Sequence, residues 1–520
     1  MKRQLLLLLA LLPLMLAAQT GDLPRSTPAA EGISTQAVIN MMDSLLALPE
    51  CDIHHVMVVR HGKVVAEMHP APFRAEDSHT LYSASKTFTA LAVGIAIDEN
   101  LLRLTDRVMT FFPDKRSDRV SDNMADMTVR DLLMMASGVK PDWTMRNNSM
   151  DWVKDWLAKP VDEKPGSLFQ YDSMCTFMLS AIVQRVTGCT MLEYLQKKLF
   201  APMHITVADW ETSPDGINTG GWGLRVQAET MAKLGLLLLN KGNWDGQQLV
   251  SAEYVTTACS RLIDGGAKTT VPPTDGNQGY GYQVWQSKWP GSFRADGAMG
   301  QYTVVVPQED LVVVILGMKL YGHEELSCIW NQLMPGMKNS ALKPENKLQK
   351  KLEKLCATAA LKLPKGKKYN IGISIEGREL KLEHNRYGLK LVTIDDGLNK
   401  KGFYDDLIRT KFNGYLLTFV DDNDNTEILA ASHNEWVYYS SLTGLPYYSI
   451  NAINRMQGFE HGFTAAAAYA WISPTMLEVR VHYVDWISGM TYVFDFSKNE
   501  VTICDTYPNS KPATIPFTIQ

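Results

Sequence analysis

The sequence predicts an α/β (α+β) chain in two parts: one antiparallel sheet flanked by helices with an inserted helical lobe, then a C-terminal antiparallel β-barrel or sandwich. Three observations predict it. Strand patterns at both ends of residues 23–340 bracket a helical middle, a Lys-rich helix and a Pro-Gly break occupy residues 341–368, and period-two alternation fills residues 369–520. A length of 520 residues with 45% apolar and 21% charged side chains can bury cores of this size, and excludes a mainly disordered or collagen-like chain. The net charge of −5 comes without a long basic block, so no nucleic-acid surface is expected.

At the N-terminus, Met1-Lys2-Arg3 precede an apolar stretch from Leu5 to Leu16 that ends in Ala17-Ala18, and polar Gln19-Thr20-Gly21-Asp22 follow at once. A basic start, a short apolar core and small residues at the cleavage point predict a signal peptide over residues 1–18, and with it a periplasmic or secreted bacterial protein. The stretch falls short of the about 20 apolar residues that span a bilayer. No Cys stands at the cleavage point to be acylated, and no later run is long enough, so no membrane span is expected. The 7 Cys are too sparse for a disulfide scaffold, contain no CxxC pair, and leave at least one thiol free by their odd count.

In chain order, Gln36 to Leu46 has helical spacing. Val56–Arg60 and Val64–Met68 flank His61-Gly62-Lys63 as a β-hairpin. Helical spacing then dominates from Thr80 to about Asn240, in the runs Phe88–Leu102, Val129–Met135, Phe177–Val186 and Met231–Asn240. Thr128-Val129-Arg130-Asp131 has the form of a capping box, and Gly138 is expected to close that helix. Strand patterns return at Tyr280–Trp285, Tyr302–Val306 and Leu311–Leu316, before a helix around Glu324–Leu333. Residues 343–368 carry Lys343, Lys347, Lys350, Lys351, Lys354, Lys362, Lys365, Lys367 and Lys368, partly on a helix with Leu348, Leu352 and Leu355. Alternation at Tyr369–Ile373, Leu389–Leu391, Leu477–Val481 and Tyr492–Phe496 then predicts short antiparallel strands. The aromatic residues Tyr438, Tyr439, Tyr447, Tyr448, Trp471 and Trp486 could form a binding surface, but barrel and sandwich cores use the same residues, and the core is the expected place for them.

For chemistry, G-x-S-x-G is absent; the nearest match, Gly372-Ile373-Ser374-Ile375-Glu376, lacks the second Gly. Of the His residues, His54 and His55 stand together, but alternation on a strand sends them to opposite faces, and no metal-ligand spacing occurs. No metal and no cofactor is expected. A different nucleophile stands at Ser83-Ala84-Ser85-Lys86, directly before a helical run. At a helix start, Lys86 lies one turn beyond Ser83 on the same face, so its amine reaches the hydroxyl. A serine hydroxyl needs a neighbouring base, and a partly buried Lys with a depressed pKa can serve. Roughly one or two S-x-x-K matches arise by chance in a chain this long. Ser340-Ala341-Leu342-Lys343 is such a match, but it lies at the Lys-rich boundary without partners.

The partners of Ser83 are Phe169-Gln170-Tyr171-Asp172-Ser173, which opens the helix Met174–Val186, and Arg294-Ala295-Asp296-Gly297-Ala298, which enters a strand. Together with Tyr82-Ser83-Ala84-Ser85-Lys86, these segments resemble the ordered motifs of the class C β-lactamase and penicillin-binding-protein-like serine hydrolases. The similarity is to the esterase, D-aminopeptidase and 6-aminohexanoate-dimer-hydrolase branch. It extends to Met127–Leu133, Ala136-Ser137-Gly138 and Gly216–Leu224, and covers roughly residues 25–335.

The resemblance implies a β-lactamase-like catalytic domain over residues 23–340 that cleaves an ester or amide bond in a small-molecule or peptide substrate, with cell-wall fragments among the candidates, through an acyl-serine intermediate. It implies Ser83 as nucleophile, Lys86 as the group that helps remove its proton, and Tyr171 as a general base and acid activated by the nearby ammonium. The backbone N–H groups of Ser83 and Ala298 match the oxyanion hole. Ser173, Asp296, Gly297 and Trp222 match substrate-binding positions. Two departures stand out. Ser173 replaces the family's Asn, and Ala295 stands where β-lactamases place the Lys that meets a substrate carboxylate, so efficient β-lactam recognition by that route is not expected. Asp296 could instead attract a substrate amine, although a turn-forming Asp is the commoner reason for such a residue. The rival reading is a catalytically silent module that binds peptidoglycan fragments or a protein partner; the joint presence of Ser83, Lys86 and Tyr171 argues against it.

Overall fold

The computed structural model describes residues 22–115, 120–142, 144, 149–265, 274–320, 322–369, 374–375, 377–396, 414–440, 458–459, 462–505 and 511–520. Residues 1–18, where a signal peptide is expected, Tyr447, Tyr448 and most of the expected strand Tyr369–Ile373 lie outside them.

Among the described residues, strands β1 (Cys51–Arg60) and β2 (Lys63–Met68) form the expected hairpin. The short strands β3 (Ser78–Thr80), β4 (Ala208–Trp210) and β5 (Leu224–Gln227) make a small sheet in the order β3-β5-β4, and β6 (Asn243–Trp244) pairs with β7 (Gln247–Gln248). Strands β8 (Trp285–Gln286), β9 (Phe293–Gly297), β10 (Gln301–Val306) and β11 (Leu311–Lys319) complete the main sheet, in the order β2-β1-β11-β10-β9-β8. Strands from the two ends of the unit therefore meet at the antiparallel β1–β11 pair.

The run Leu311–Leu316 is apolar throughout because both faces of the sheet are covered. Val312, Val314 and Leu316 join one core with the helices Ser85–Asp98, Ser173–Thr187 and Ala228–Leu239. Val313 and Ile315 join the other, with the helix Thr35–Leu46 and Leu352 of the Lys-rich helix Asn346–Thr358.

Two local expectations are corrected. The capping box of Thr128 and Asp131 is present, but its helix runs only from Val129 to Leu133; Met135 turns left-handed at φ 57°, so Gly138 does not close it. The expected strand Tyr280–Trp285 is reduced to Trp285–Gln286. Gln283 takes φ 58°, and its side-chain amide donates to the carbonyls of Leu132 and Leu133, an anchor that bends the segment away from the sheet.

A third correction concerns His54 and His55. Ile53 pairs with Gly317 and His55 with Leu316, so β1 carries one extra residue opposite β11, a β-bulge. The bulge aims both rings at the same cluster: His54 and His55 stand 5.1 and 5.6 Å from the ring of His79, and 3.8 and 5.7 Å from that of Phe73. The Thr80 carbonyl can only accept, so Nδ1–H of His79 donates to it, and His79 Nε2 accepts from Nδ1–H of His54. Among the described residues no cluster of three or more His, Cys, Asp or Glu side chains has the geometry to hold a metal ion.

The second unit is a barrel. Strands β12 (Arg378–Leu382), β13 (Leu389–Asp396), β14 (Gly414–Asp421), β15 (Thr426–His433), β16 (Val437–Ser440), β17 (Thr464–Ser473), β18 (Met476–Tyr483), β19 (Gly489–Asp495), β20 (Glu500–Asp505) and β21 (Ala513–Ile519) form one sheet. It runs β15-β14-β13-β12-β21-β20-β19-β18-β17, and parallel pairing of Ser432 with Ala468 joins β15 to β17 and closes the ring. Tyr439, Trp471 and Trp486 lie in its core as expected. Tyr438 faces the first unit, its hydroxyl donating to the Pro72 carbonyl at 2.7 Å.

His482 of the barrel packs against Phe73 of the first unit and Trp436, with ring centroids at 6.2 and 5.3 Å. Burial, reinforced by the charge of Arg480, lowers it from 6.5 to about 4. The unfolded chain therefore takes up this proton first as pH falls, and the residue erodes stability progressively below pH 6.5 until it titrates in the fold. Asp485 and Glu325, which burial raises to about 7, act in the opposite sense, so the diagnostic quantity is the difference between two proteins. His482→Phe should gain stability relative to the parent as pH falls from 7.5 to 4, by up to about 3 kcal/mol. Paired thermal melts across that range check it; a difference that does not change with pH would contradict the assignment.

Candidate active site

Ser83 sits in a tight turn, Tyr82–Ala84, that feeds directly into the helix Ser85–Asp98. It is half-buried, whereas Lys86, in the first turn of that helix, is 1% exposed. Lys86 Nζ donates to Ser83 Oγ at 2.9 Å, to Ser173 Oγ at 2.8 Å and to the Gly221 carbonyl at 2.6 Å. These three oxygens match the three N–H bonds of an ammonium. The Gly221 carbonyl can only accept, while either serine can turn its hydroxyl hydrogen toward nitrogen. A neutral amine could therefore keep its bond to Gly221 and accept the Ser83 proton.

Tyr171 precedes the helix Ser173–Thr187, which Asp172 caps by accepting from the Met174 N–H at 2.9 Å. Its ring packs among Phe169, Tyr280 and Trp285, with centroids at 6.4, 6.2 and 5.6 Å. The Lys86 Nζ stands over the face of that ring, 5.0 Å from its centroid. Burial pushes the phenol above its ordinary value, and the charge of Asp296 adds to this, against the opposing effect of a hydrogen bond with the Ser83 side chain. Desolvation thus works against the activation of the phenol expected from the neighbouring amine.

Strand β9 ends against the nucleophile turn. A Cβ on Gly297 would stand 2.1 Å from the Leu81 carbonyl oxygen and 3.1 Å from the Ala84 nitrogen, so only glycine permits this approach. The next residue is Ala298, whose backbone is thereby brought beside Ser83. The carbonyls of Ala298 and Met299 accept from the buried Gln301 amide at 3.2 and 3.0 Å, which fixes the turn.

Asp296 does not present a free charge to the cleft. Its Oδ2 accepts from Arg294 Nε at 2.8 Å, and His323 Nε2 lies 3.7 Å away. Burial would raise this carboxyl, but Arg294 and His323 together hold it below the ordinary range. The expectation that it attracts a substrate amine is therefore corrected: Arg294, 1% exposed on the same strand face, already balances it. Ala295 points to the opposite face and is fully buried in the helix-side core.

Ser173 and Trp222 also differ from expectation. Ser173 is 1% exposed, and its hydroxyl accepts from Lys86, so it positions the amine. Trp222 is a core residue, 8% exposed and packed 5.9 Å from the ring of Trp152. Its neighbour Gly221 is the functional contact, and a Cβ there would lie 2.7 Å from the Ser173 carbonyl oxygen. The Gly220-Gly221 pair was the available signal for this contact. Nothing local marked His323, which reaches Asp296 from the segment after β11. The second S-x-x-K match is set aside by geometry: Ser340 and Lys343 are both exposed and precede the helix Asn346–Thr358.

The family model described as Beta-lactamase matches residues 54–332. A 6-aminohexanoate-dimer hydrolase from Paenarthrobacter ureafaciens is 26% identical over 318 residues, 56% of this chain and 79% of the relative. A lovastatin esterase from Penicillium rubens is 26% identical over 160 residues, 26% of this chain and 40% of the relative. A penicillin-binding protein homologue from Caulobacter crescentus aligns in structure with a TM-score of 0.47 at 18% identity, over 57% of this chain and 95% of that one.

Proposed function

Because the chain belongs to the beta-lactamase family, we propose that it is an exported serine hydrolase that cleaves an ester or amide bond through an acyl-Ser83 intermediate. The observation that carries this reading is the Lys86 amine, buried and 2.9 Å from a half-buried serine hydroxyl. The relatives described as 6-aminohexanoate-dimer hydrolase and lovastatin esterase act on an amide and an ester, and support the substrate class. Export rests on the leader-like residues 1–18.

In the proposed course, Ser83 Oγ attacks the substrate carbonyl carbon while its proton passes to neutral Lys86. The carbonyl oxygen becomes an oxyanion between the N–H groups of Ser83 and Ala298. Tyr171, neutral in the resting site, gives its phenolic proton to the leaving alkoxide or amine and is reprotonated by the Lys86 ammonium. The bond to the leaving group breaks, and the acyl group stays on Ser83. Water then attacks the acyl carbon as its proton passes to the Lys86 amine, the bond from that carbon to Ser83 Oγ breaks, Ser83 Oγ takes the proton back from Lys86, and the acid is released. Arg294, paired with Asp296, is unavailable to meet a substrate carboxylate, and Ala295 supplies no cation.

A fluorophosphonate probe tests the nucleophile. The parent protein should be labelled and Ser83→Ala should not; equal labelling of both would move the nucleophile elsewhere.

A further inference from the structure

Two residues at the proposed oxyanion hole have a backbone conformation that L side chains rarely adopt. Tyr82, directly before Ser83, has φ 46°, and Met299, directly after Ala298, has φ 66°. Both are bulky residues in the left-handed region, which glycine enters freely and a side chain with a Cβ resists. Such conformations persist only where the surroundings fix them.

Within the first unit the Met299 carbonyl accepts from the Gln301 amide and the Lys319 N–H, and the side chains of both residues turn to the other unit. The side chains of Tyr82 and Met299 both pack against the core of the barrel. The Tyr82 ring lies 5.7 Å from that of Trp486, which is 4% exposed in the segment between β18 and β19. The same segment holds the approach to the nucleophile: the Thr80 N–H donates to the Asp485 carbonyl at 3.1 Å. Arg225, in the strand paired with β3, adds a second grip, its guanidinium 4.4 and 4.2 Å from the rings of Phe459 and Phe463.

We propose that the barrel is a positioning element for the oxyanion hole, gripping through Trp486 and its neighbours the two strained residues that flank the Ser83 and Ala298 N–H groups. This rests on the reading of those N–H groups given above. Ordinary packing between units would bury apolar surface anywhere along the contact. Here the contact includes, beside Phe73 and Met318, the partly buried side chains adjacent in sequence to both proposed oxyanion donors. Trp486 is buried and acts through Tyr82, so it is a positioning residue. Loosening it should lower the rate of the step in which the oxyanion forms and leave substrate affinity almost unchanged.

The test uses the full chain and an activated ester, with Trp486→Ala, Trp486→Phe, Tyr82→Gly and Ser83→Ala compared for kcat, KM, fluorophosphonate labelling rate and melting temperature. Trp486→Ala and Tyr82→Gly should each lower kcat about tenfold or more with KM within about twofold, and slow labelling in parallel. Trp486→Phe should recover most of kcat, which keeps the idea open to test if Trp486→Ala folds poorly. Tyr82→Gly is the sharper variant, because glycine relieves the backbone strain and so should fold at least as well while losing the grip. Parental kcat in Tyr82→Gly or in a folded Trp486→Ala, or a loss confined to KM, would overturn the proposal while leaving the functional reading intact. Turnover by Ser83→Ala equal to the parent would instead overturn the functional reading, and this inference with it.

Discussion

Replacing Lys86 by alanine should lower kcat at least about 10³-fold, and the double variant with Ser83→Ala should be no worse than either single change, because the two groups act as one unit. The buried amine reaches Ser83 Oγ at 2.9 Å, and it is held by two further oxygens, Ser173 Oγ and the Gly221 carbonyl. Lys86→Arg separates two possible contributions. A guanidinium keeps the positive charge but stays protonated in proteins, so it cannot take the hydroxyl proton. Turnover should be lost in Lys86→Arg as in Lys86→Ala. If Lys86→Arg kept most of the parental kcat, the amine would serve only as a fixed charge, and the proton would have to leave by another group. Stability should fall only modestly in Lys86→Ala, by about 1–3 kcal/mol, the cost of leaving the buried Gly221 carbonyl without its donor. Steady-state kinetics on an activated ester and thermal melts read the two effects separately.

How much of this was legible in the sequence depended on the range of the interactions involved. The Ser83–Lys86 contact follows from helix geometry over three residues, and the alternating strands β18 and β19 follow from a period of two; both are local, and both were read correctly. The same holds for Leu311–Leu316, whose unbroken apolar run reflects two covered faces. What escaped was set by partners distant in the chain. The bulge that turns His54 and His55 toward one cluster depends on the register against Leu316 and Gly317. The role of Gly221 depends on the helix that begins at Ser173, and the pairing of Asp296 on its strand neighbour Arg294 and on His323. The left-handed conformation of Tyr82 is held by contact with Trp486 of the barrel, 404 residues away in the chain. At Tyr171 the motif implies a neighbouring amine, which stands 5.0 Å from the ring, while the aromatic surroundings that remove water, distant in the chain, oppose ionisation of the phenol.

Gly297 supplies the second large effect, because here a single methyl group meets backbone rather than a movable side chain. In Gly297→Ala the new Cβ would stand 2.1 Å from the Leu81 carbonyl oxygen, 2.8 Å from the Gln301 Cβ and 3.1 Å from the Ala84 nitrogen. The Leu81 amide is itself fixed, its N–H donating to the Leu224 carbonyl at 2.9 Å. Relief therefore requires the end of β9 to retreat from the nucleophile turn by about 1 Å, taking the Ala298 N–H with it. A displacement of that size at a proposed oxyanion donor should lower kcat about 10²- to 10³-fold. KM should change much less, since the ground-state carbonyl depends less on that donor than the oxyanion does. Gly462→Ala is the matched control, because nothing lies within 4 Å of a Cβ at that position. It should leave kcat at the parental value. Parental kcat in Gly297→Ala would mean that the strand end yields without cost to the chemistry, and the Ala298 N–H would lose its place in the proposed mechanism.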